Sequence, residues 1–239
     1  MKTDGPMSGV ELCNNTRRMC RVRYFAAYAL MILMVMAAAP RHAFADTTPN
    51  DVASDCFSEN SLRRIPGCTA LLEGGAKLST AERSLAHAMR ALAYSLQGHF
   101  PEALQDYDEA IRLRPNFDVA LNNRAWALYK MQRYEEGMRD VEKALKIAPW
   151  SAHSFDTRAH LHQVAGRIRQ ALEDYILAMR FGGEKLVKLY QCGLEAQGLF
   201  DGKVDGVETE TLRQALARCV RNEHCDPLPP EEECRQPTS

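Results

Sequence analysis

Small, apolar and charged positions return at a step of 34 residues through the middle of this chain. Ala91, Ala125 and Ala159 stand in register, as do Phe100, Tyr134 and Ile168, and again Ala110, Ala144 and Ala178. The polar positions keep the same step, with Arg90, Arg124 and Arg158 in one row and Asp106, Asp140 and Asp174 in another. Apolar residues between these landmarks recur at helical spacing. Gln97-Gly98-His99, Gln132-Arg133 and Ala165-Gly166-Arg167 split each unit into two helices, and Pro115 and Pro149 close the first two units. The pattern predicts an all-α chain with helical hairpins at 84–117, 118–151 and 152–185, helix A carrying the Arg-Ala pair and helix B the aspartate. A unit this short cannot bury its own apolar face, so it must stack on the next one in an array.

Within each hairpin the alanines let the helices approach, and Tyr94, Leu104, Tyr107, Leu128, Leu145, Leu161 and Tyr175 fill the space between them. Each arginine precedes an aspartate by 16 residues, which puts one partner on helix A and the other on the facing helix B. An arginine at a mostly apolar position needs a partner. Arg90–Asp106, Arg124–Asp140 and Arg158–Asp174 are therefore expected as ion pairs bracing the hairpins, in preference to a basic binding groove.

The repeat length and residue types resemble the tetratricopeptide repeat over about 100 residues, with one departure where Gly182-Gly183 stands in place of the closing proline. The resemblance implies an array of three repeats behind an N-terminal cap, with a concave surface formed mainly by helix A that holds a peptide or protein partner. Its groove positions fall on Asn122, Asn123, Trp126, Tyr129 and Lys130 in the second repeat, and on His153, Asp156, Thr157 and His160 in the third. The first repeat has Ala88, Met89, Leu92 and Leu96 there. Aromatic rings give contact area and amides grip a peptide backbone. Trp126 and Tyr129 have a second reading as packing between repeats. His153, Asp156 and His160 share a helix face, and the reading preferred over a metal site is solvated groove polarity.

The flanks differ in character. Arg17, Arg18, Arg21 and Arg23 precede an apolar run at 24–39, and Ala43-Phe44-Ala45 offers small residues for cleavage. Residues 1–45 thus read as a signal peptide cut between Ala45 and Asp46, with Met19 as an alternative start. The apolar run is shorter than the ~20 residues of a spanning helix, which argues against an anchor. Residues 46–83 read as a polar linker to Asp55, then a capping helix or hairpin ending at Gly74-Gly75, with Ser79 or Thr80 capping the first full helix. Past the repeats, Val187, Gln191, Leu194, Gly198-Leu199-Phe200-Asp201-Gly202 and Asp205-Gly206 resemble a peptidoglycan-binding-like helical module over 186–222. The usual residues after the Asp-Gly are replaced by Thr209, Glu210 and Leu212, and Cys219 stands for the closing phenylalanine. That resemblance implies peptidoglycan as an alternative partner, although no aromatic residue follows Phe200 to stack on a sugar.

Export changes how the cysteines and the charge read. Cys56, Cys68, Cys192, Cys219, Cys225 and Cys234 remain after cleavage, an even set suited to disulfides in an oxidising compartment. Their spacing suggests Cys56–Cys68 in the cap and two bridges that staple the Pro- and Glu-rich tail at 223–239. Cys192–Cys219 with Cys225–Cys234 is the preferred pairing there, and the crossed pairings are the alternative. With 30 basic and 31 acidic residues overall, loss of six and two leaves a net charge of minus five. That is no nucleic-acid footprint. Every mature cysteine lies outside the repeats, which hold His87, His99, His153, His160 and His162, so no nucleophilic pair is suggested. The expectation is a non-enzymatic periplasmic or secreted scaffold with no cofactor, no metal and no membrane span after cleavage.

Overall fold

In the computed structural model the described residues are 49–75, 77–222 and 224–228. The expected signal peptide at 1–45 lies outside them, and so does Cys234. The described residues are all-helical: α1 (Pro49–Cys56), α2 (Ser61–Glu73), α3 (Thr80–Leu96), α4 (Phe100–Leu113), α5 (Asp118–Lys130), α6 (Tyr134–Ile147), α7 (Ala152–Val164), α8 (Ile168–Ala196) and α9 (Glu210–Cys219). Helices α3 and α4, α5 and α6, and α7 and the first half of α8 pack as antiparallel hairpins that stack in sequence order.

The alanine rows explain the close packing. Ala91, Ala125, Ala159, Ala110, Ala144 and Ala178 are all fully buried, so each hairpin meets across methyl groups while Tyr107 and Tyr175 fill the remaining volume. The turns follow the same period. Gly98 and Gly166 take φ values of 77° and 68°, and Gln132, at the equivalent place in the middle repeat, is forced to φ 60°. A side chain bearing a Cβ is disfavoured there.

Each hairpin is clasped by a two-pronged ion pair. Arg90 donates from Nε and Nη2 to Asp106 at 2.7 and 2.8 Å, Arg124 to Asp140 at 2.6 and 2.7 Å, and Arg158 to Asp174 at 2.8 and 2.7 Å. The third prong reaches backward. Arg90 Nη1 donates to Thr69 Oγ1 of α2 at 2.9 Å, and Arg124 Nη1 to Asp108 of α4 at 2.7 Å. One guanidinium thus ties helix A both to its own helix B and to the preceding unit. Burial works to raise the Asp106 pKa, but Arg90 and His87 outweigh it and hold the carboxyl below its usual range.

The ends of the array depart from the sequence expectations. Much of the stretch read as a polar linker is helical, so the cap is a two-helix hairpin, α1 and α2, closed by the Cys56–Cys68 disulfide. The helices touch where Gly67 crosses α1; a Cβ there would lie 2.6 Å from Asp55 Cβ and from the Cys56 nitrogen. Ser79 caps α3 in a reciprocal pairing with Glu82. At the other end, Gly182-Gly183 breaks α8 into two helical halves. Gly183 alone leaves helical geometry, at φ 63° and ψ −159°, and the helix resumes at once.

The C-terminal stretch is part of the same core. Tyr175 and Met179 of the third repeat pack in one cluster with Leu186, Tyr190 and Leu194 of the second half of α8 and with Leu212, Leu216 and Cys219 of α9. Gln191 is fully buried. Its amide nitrogen donates to Asp205 Oδ1 and the Val207 carbonyl, and its oxygen accepts from the backbone of Asp205 and Gly206. It thereby closes the loop ahead of α9. The preferred disulfide pairings do not form: Cys219 pairs with Cys225, six residues on, and Cys192 is disulfide-bonded elsewhere. Cys219 sits on the last turn of α9, and Asn222 N bonds the Cys219 carbonyl and Cys225 N the Asn222 carbonyl. The chain therefore doubles back at once and brings Cys225 to Cys219 ahead of any residue on α8.

Two substitutions check this account. Gln132→Gly removes the left-handed strain and is expected to stabilise the protein by about 0.5–1 kcal/mol, read as a higher urea midpoint at unchanged slope. Arg124→Ala leaves the largely buried Asp140 without its partner and is expected to cost ~3 kcal/mol; a loss no greater than that of an exposed ion pair would show that the ladder does not brace the array.

Candidate functional site

Helix A of each repeat lines the concave face, so α3, α5 and α7 supply its floor. They bound a cavity of about 1020 Å³. Leu92 enters from α3, Val119, Asn122, Asn123, Trp126 and Lys130 from α5, and His153, Asp156 and Thr157 from α7. Seven of the nine expected groove residues therefore converge on one concavity. The fourth wall is made by Gly193 and Ala196 of α8, by Gln197 just past its end, and by Asp226 and Leu228 beyond α9. Tyr129 and His160 do not line it and pack behind the wall instead.

Lys130 is exposed, with its ammonium 4.5 Å from the Trp126 ring centre, and Trp126 stacks on Tyr129 at 5.1 Å. The indole is thus both groove wall and packing element. Asn122 Nδ2 donates to Asn123 Oδ1 at 3.3 Å. Asn122 Oδ1 is buried and accepts from nothing among the described residues. An orphaned buried acceptor costs about 1–3 kcal/mol.

The third-repeat end is not the solvated polar face expected from the spacing. Asp156, Thr157 and His160 are all buried. His160 Nδ1 donates to the Asp156 carbonyl at 2.9 Å, and Nε2 donates to Asp226 Oδ1 at 3.1 Å. Oxygen acceptors at both nitrogens require both to carry protons, so the ring is an imidazolium. Trp126, Tyr129 and Tyr175 stand around it with ring centres 5.2, 5.6 and 5.3 Å away. Burial works against the charge, but the carboxylates of Asp156 and Asp226 outweigh it and lift the pKa to about 9. Asp226 is held below its usual value, because the bond from His160 overcomes the cost of its burial. Burial raises Asp156, whose Oδ1 takes the Tyr190 hydroxyl hydrogen. Among the described residues no group of three metal-ligating side chains converges.

Sequence reasoning missed Asp226, Tyr190, Gln163 and Gln197. Gln163 Nε2 donates to the carbonyls of Asn222 and Cys225 at 2.7 and 2.8 Å, and Gln197 Nε2 to that of Asp226 at 2.6 Å. These contacts join positions up to 66 residues apart, and no local pattern announces them.

Residues 84–117 and 119–149 match the tetratricopeptide repeat. Similar proteins include the Hsp70-Hsp90 organizing protein of Triticum aestivum, 29% identical over 110 residues, or 44% of this chain and 16% of that protein. The mitochondrial import receptor subunit TOM70 of Mus musculus is 30% identical over 103 residues, covering 41% of this chain and 17% of the relative. Sperm-associated antigen 1 of Mus musculus is 31% identical over 77 residues, covering 32% and 8%. The chain spans less than a fifth of the length of each of these relatives. The fold is a tetratricopeptide helical array.

The His160 arrangement has a pH signature. Its folded-state pKa of about 9 lies above the ordinary histidine value of 6.5, so its contribution is complete below that value and lost as pH rises through 9. Urea unfolding at pH 6 and at pH 9.5 is expected to differ by ~2–3 kcal/mol more in the wild type than in His160→Gln. Equal differences in the two proteins would mean that the ring is not a buried cation.

Proposed function

We propose that this protein is a non-enzymatic, exported scaffold of the cell envelope that captures a peptide segment of a partner protein in its concave groove. The observation that carries this reading is the convergence of Asn123, Trp126 and Lys130 of α5 with His153 of α7 on one cavity of about 1020 Å³. The Asn123 amide in that wall is suited to a peptide backbone. Lys130 and the Trp126 face stand beside it to take an acidic or apolar neighbour on the same segment. The relatives' names describe an organiser of two chaperones and an import receptor subunit, which fits a module that handles other proteins.

Envelope placement draws support from the Cys56–Cys68 and Cys219–Cys225 disulfides, which persist in oxidising compartments, together with the basic and apolar N-terminal pattern. The stretch 186–222, whose wall-binding resemblance offered the alternative, packs Tyr190, Leu212 and Leu216 into the core of the third repeat. In this reading it caps the array.

Crosslinking and pull-down from a periplasmic extract tests the groove. Asn123→Ala with Lys130→Glu is expected to lower partner capture at least tenfold while leaving the melting temperature within about 2 °C, since neither side chain is buried. Unchanged capture would reject the groove as the binding surface.

A further inference from the structure

We propose that Asp226-Pro227-Leu228 is a resident ligand of the groove, an in-cis copy of the segment that the third repeat is built to bind, and that incoming partners compete with it through an Asp-x-apolar sequence of their own. This rests on the peptide-binding reading of the groove and adds both a ligand class and a gate.

The segment is bound in the way a peptide is bound. It has no helical structure, and side chains from α7 and from the end of α8 hold its backbone: Gln163 donates to the carbonyls of Asn222 and Cys225, and Gln197 to that of Asp226. Gln163 is itself oriented by the Tyr175 hydroxyl, which donates to its oxygen at 3.0 Å. The segment's charged anchor on α7 is Asp226 on His160. Asp226 Oδ1 also accepts from the Leu228 nitrogen at 2.9 Å, a tight turn that delivers the leucine side chain into the cavity two residues after the acid. Acid and apolar residue thus enter as one unit.

The exposure of the two partners separates a gate from a fixed core contact. His160 keeps 2% of its side-chain surface, whereas Asp226 keeps 42%. The cation is buried, and the carboxylate that satisfies it sits at the mouth of the site, where another carboxylate can reach. With Asp226 displaced the ring keeps Asp156, whose Oδ2 lies 3.7 Å from Nδ1, but the buried Nε2–H loses its acceptor. Whatever replaces Asp226 must therefore offer Nε2 an acceptor, and a carboxylate does so with opposite charge, which favours acidic over neutral and basic segments. The Cys219–Cys225 bridge anchors the segment one residue before Asp226, so its local concentration stays high and only an outside segment with further contacts displaces it. Those contacts are available at Asn123, Trp126 and Lys130, which line the same cavity and are not buried.

The test uses the full chain and a fluorescein-labelled peptide, Ser-Asp-Pro-Leu-Pro with a C-terminal amide, followed by fluorescence polarisation. Asp226→Ala combined with Leu228→Ala vacates the subsite. The double variant is expected to bind the peptide at least tenfold more tightly than the wild type, and the same peptide with asparagine for aspartate at least tenfold more weakly. Equal affinity of wild type and variant would overturn the gate. Equal affinity of the two peptides, or no binding by a variant whose far-UV spectrum is native, would overturn the ligand class. If the variant does not fold, hydrogen–deuterium exchange of the wild type decides: faster exchange at 224–228 on saturation with peptide supports the gate, and unchanged exchange overturns it. Loss of these effects with Lys130-dependent partner capture intact would leave the groove reading standing and remove only the resident ligand.

Discussion

The array hangs on a guanidinium gripped from two sides. Within one hairpin, burial of alanine methyls and tyrosine rings brings helix A and helix B together, but that apolar contact has no direction of its own. The two-pronged Arg90, Arg124 and Arg158 pairs fix the register of the facing helices, because a planar fork meets a carboxylate in one geometry. The remaining prong of Arg90 and Arg124 reaches the unit before. Register within a repeat and register between repeats are therefore set by the same side chain.

A stacked array leaves one unsatisfied face at each end, and the two ends solve this differently. At the first, α1 and α2 form an atypical unit too small for a core of its own, and the Cys56–Cys68 bridge substitutes for the missing volume. At the second, the kink at Gly183 redirects α8 so that Tyr190, Leu194 and α9 close over the third repeat. The chain then folds back through the Cys219–Cys225 bridge and lays its next residues on the concave side. The geometry that caps the core also narrows the groove.

That narrowing changes what the groove is. The second repeat presents an open wall with an exposed lysine over an indole. The third presents a buried cation already matched by an acid from the same chain.

The 34-residue period determined most of the fold by itself. Repeated alanines, the Arg-to-Asp spacing of 16 and the turn residues at 98, 132 and 166 are local signals, and each specifies its own hairpin before any long-range contact exists. The groove residues of the second repeat were legible for the same reason, since a position on helix A has the same outlook in every unit. What only the tertiary structure decided lies where the period stops. The disulfide pairing of Cys219 depended on where the chain turned after α9, and a list of spacings does not contain that turn. His160 and Asp156 read as solvated polarity in the sequence and became a buried charged cluster, because Asp226 arrives from 66 residues away to neutralise it. A residue's type and helix face state what it is able to do, but its burial and charge partner are properties of the folded whole.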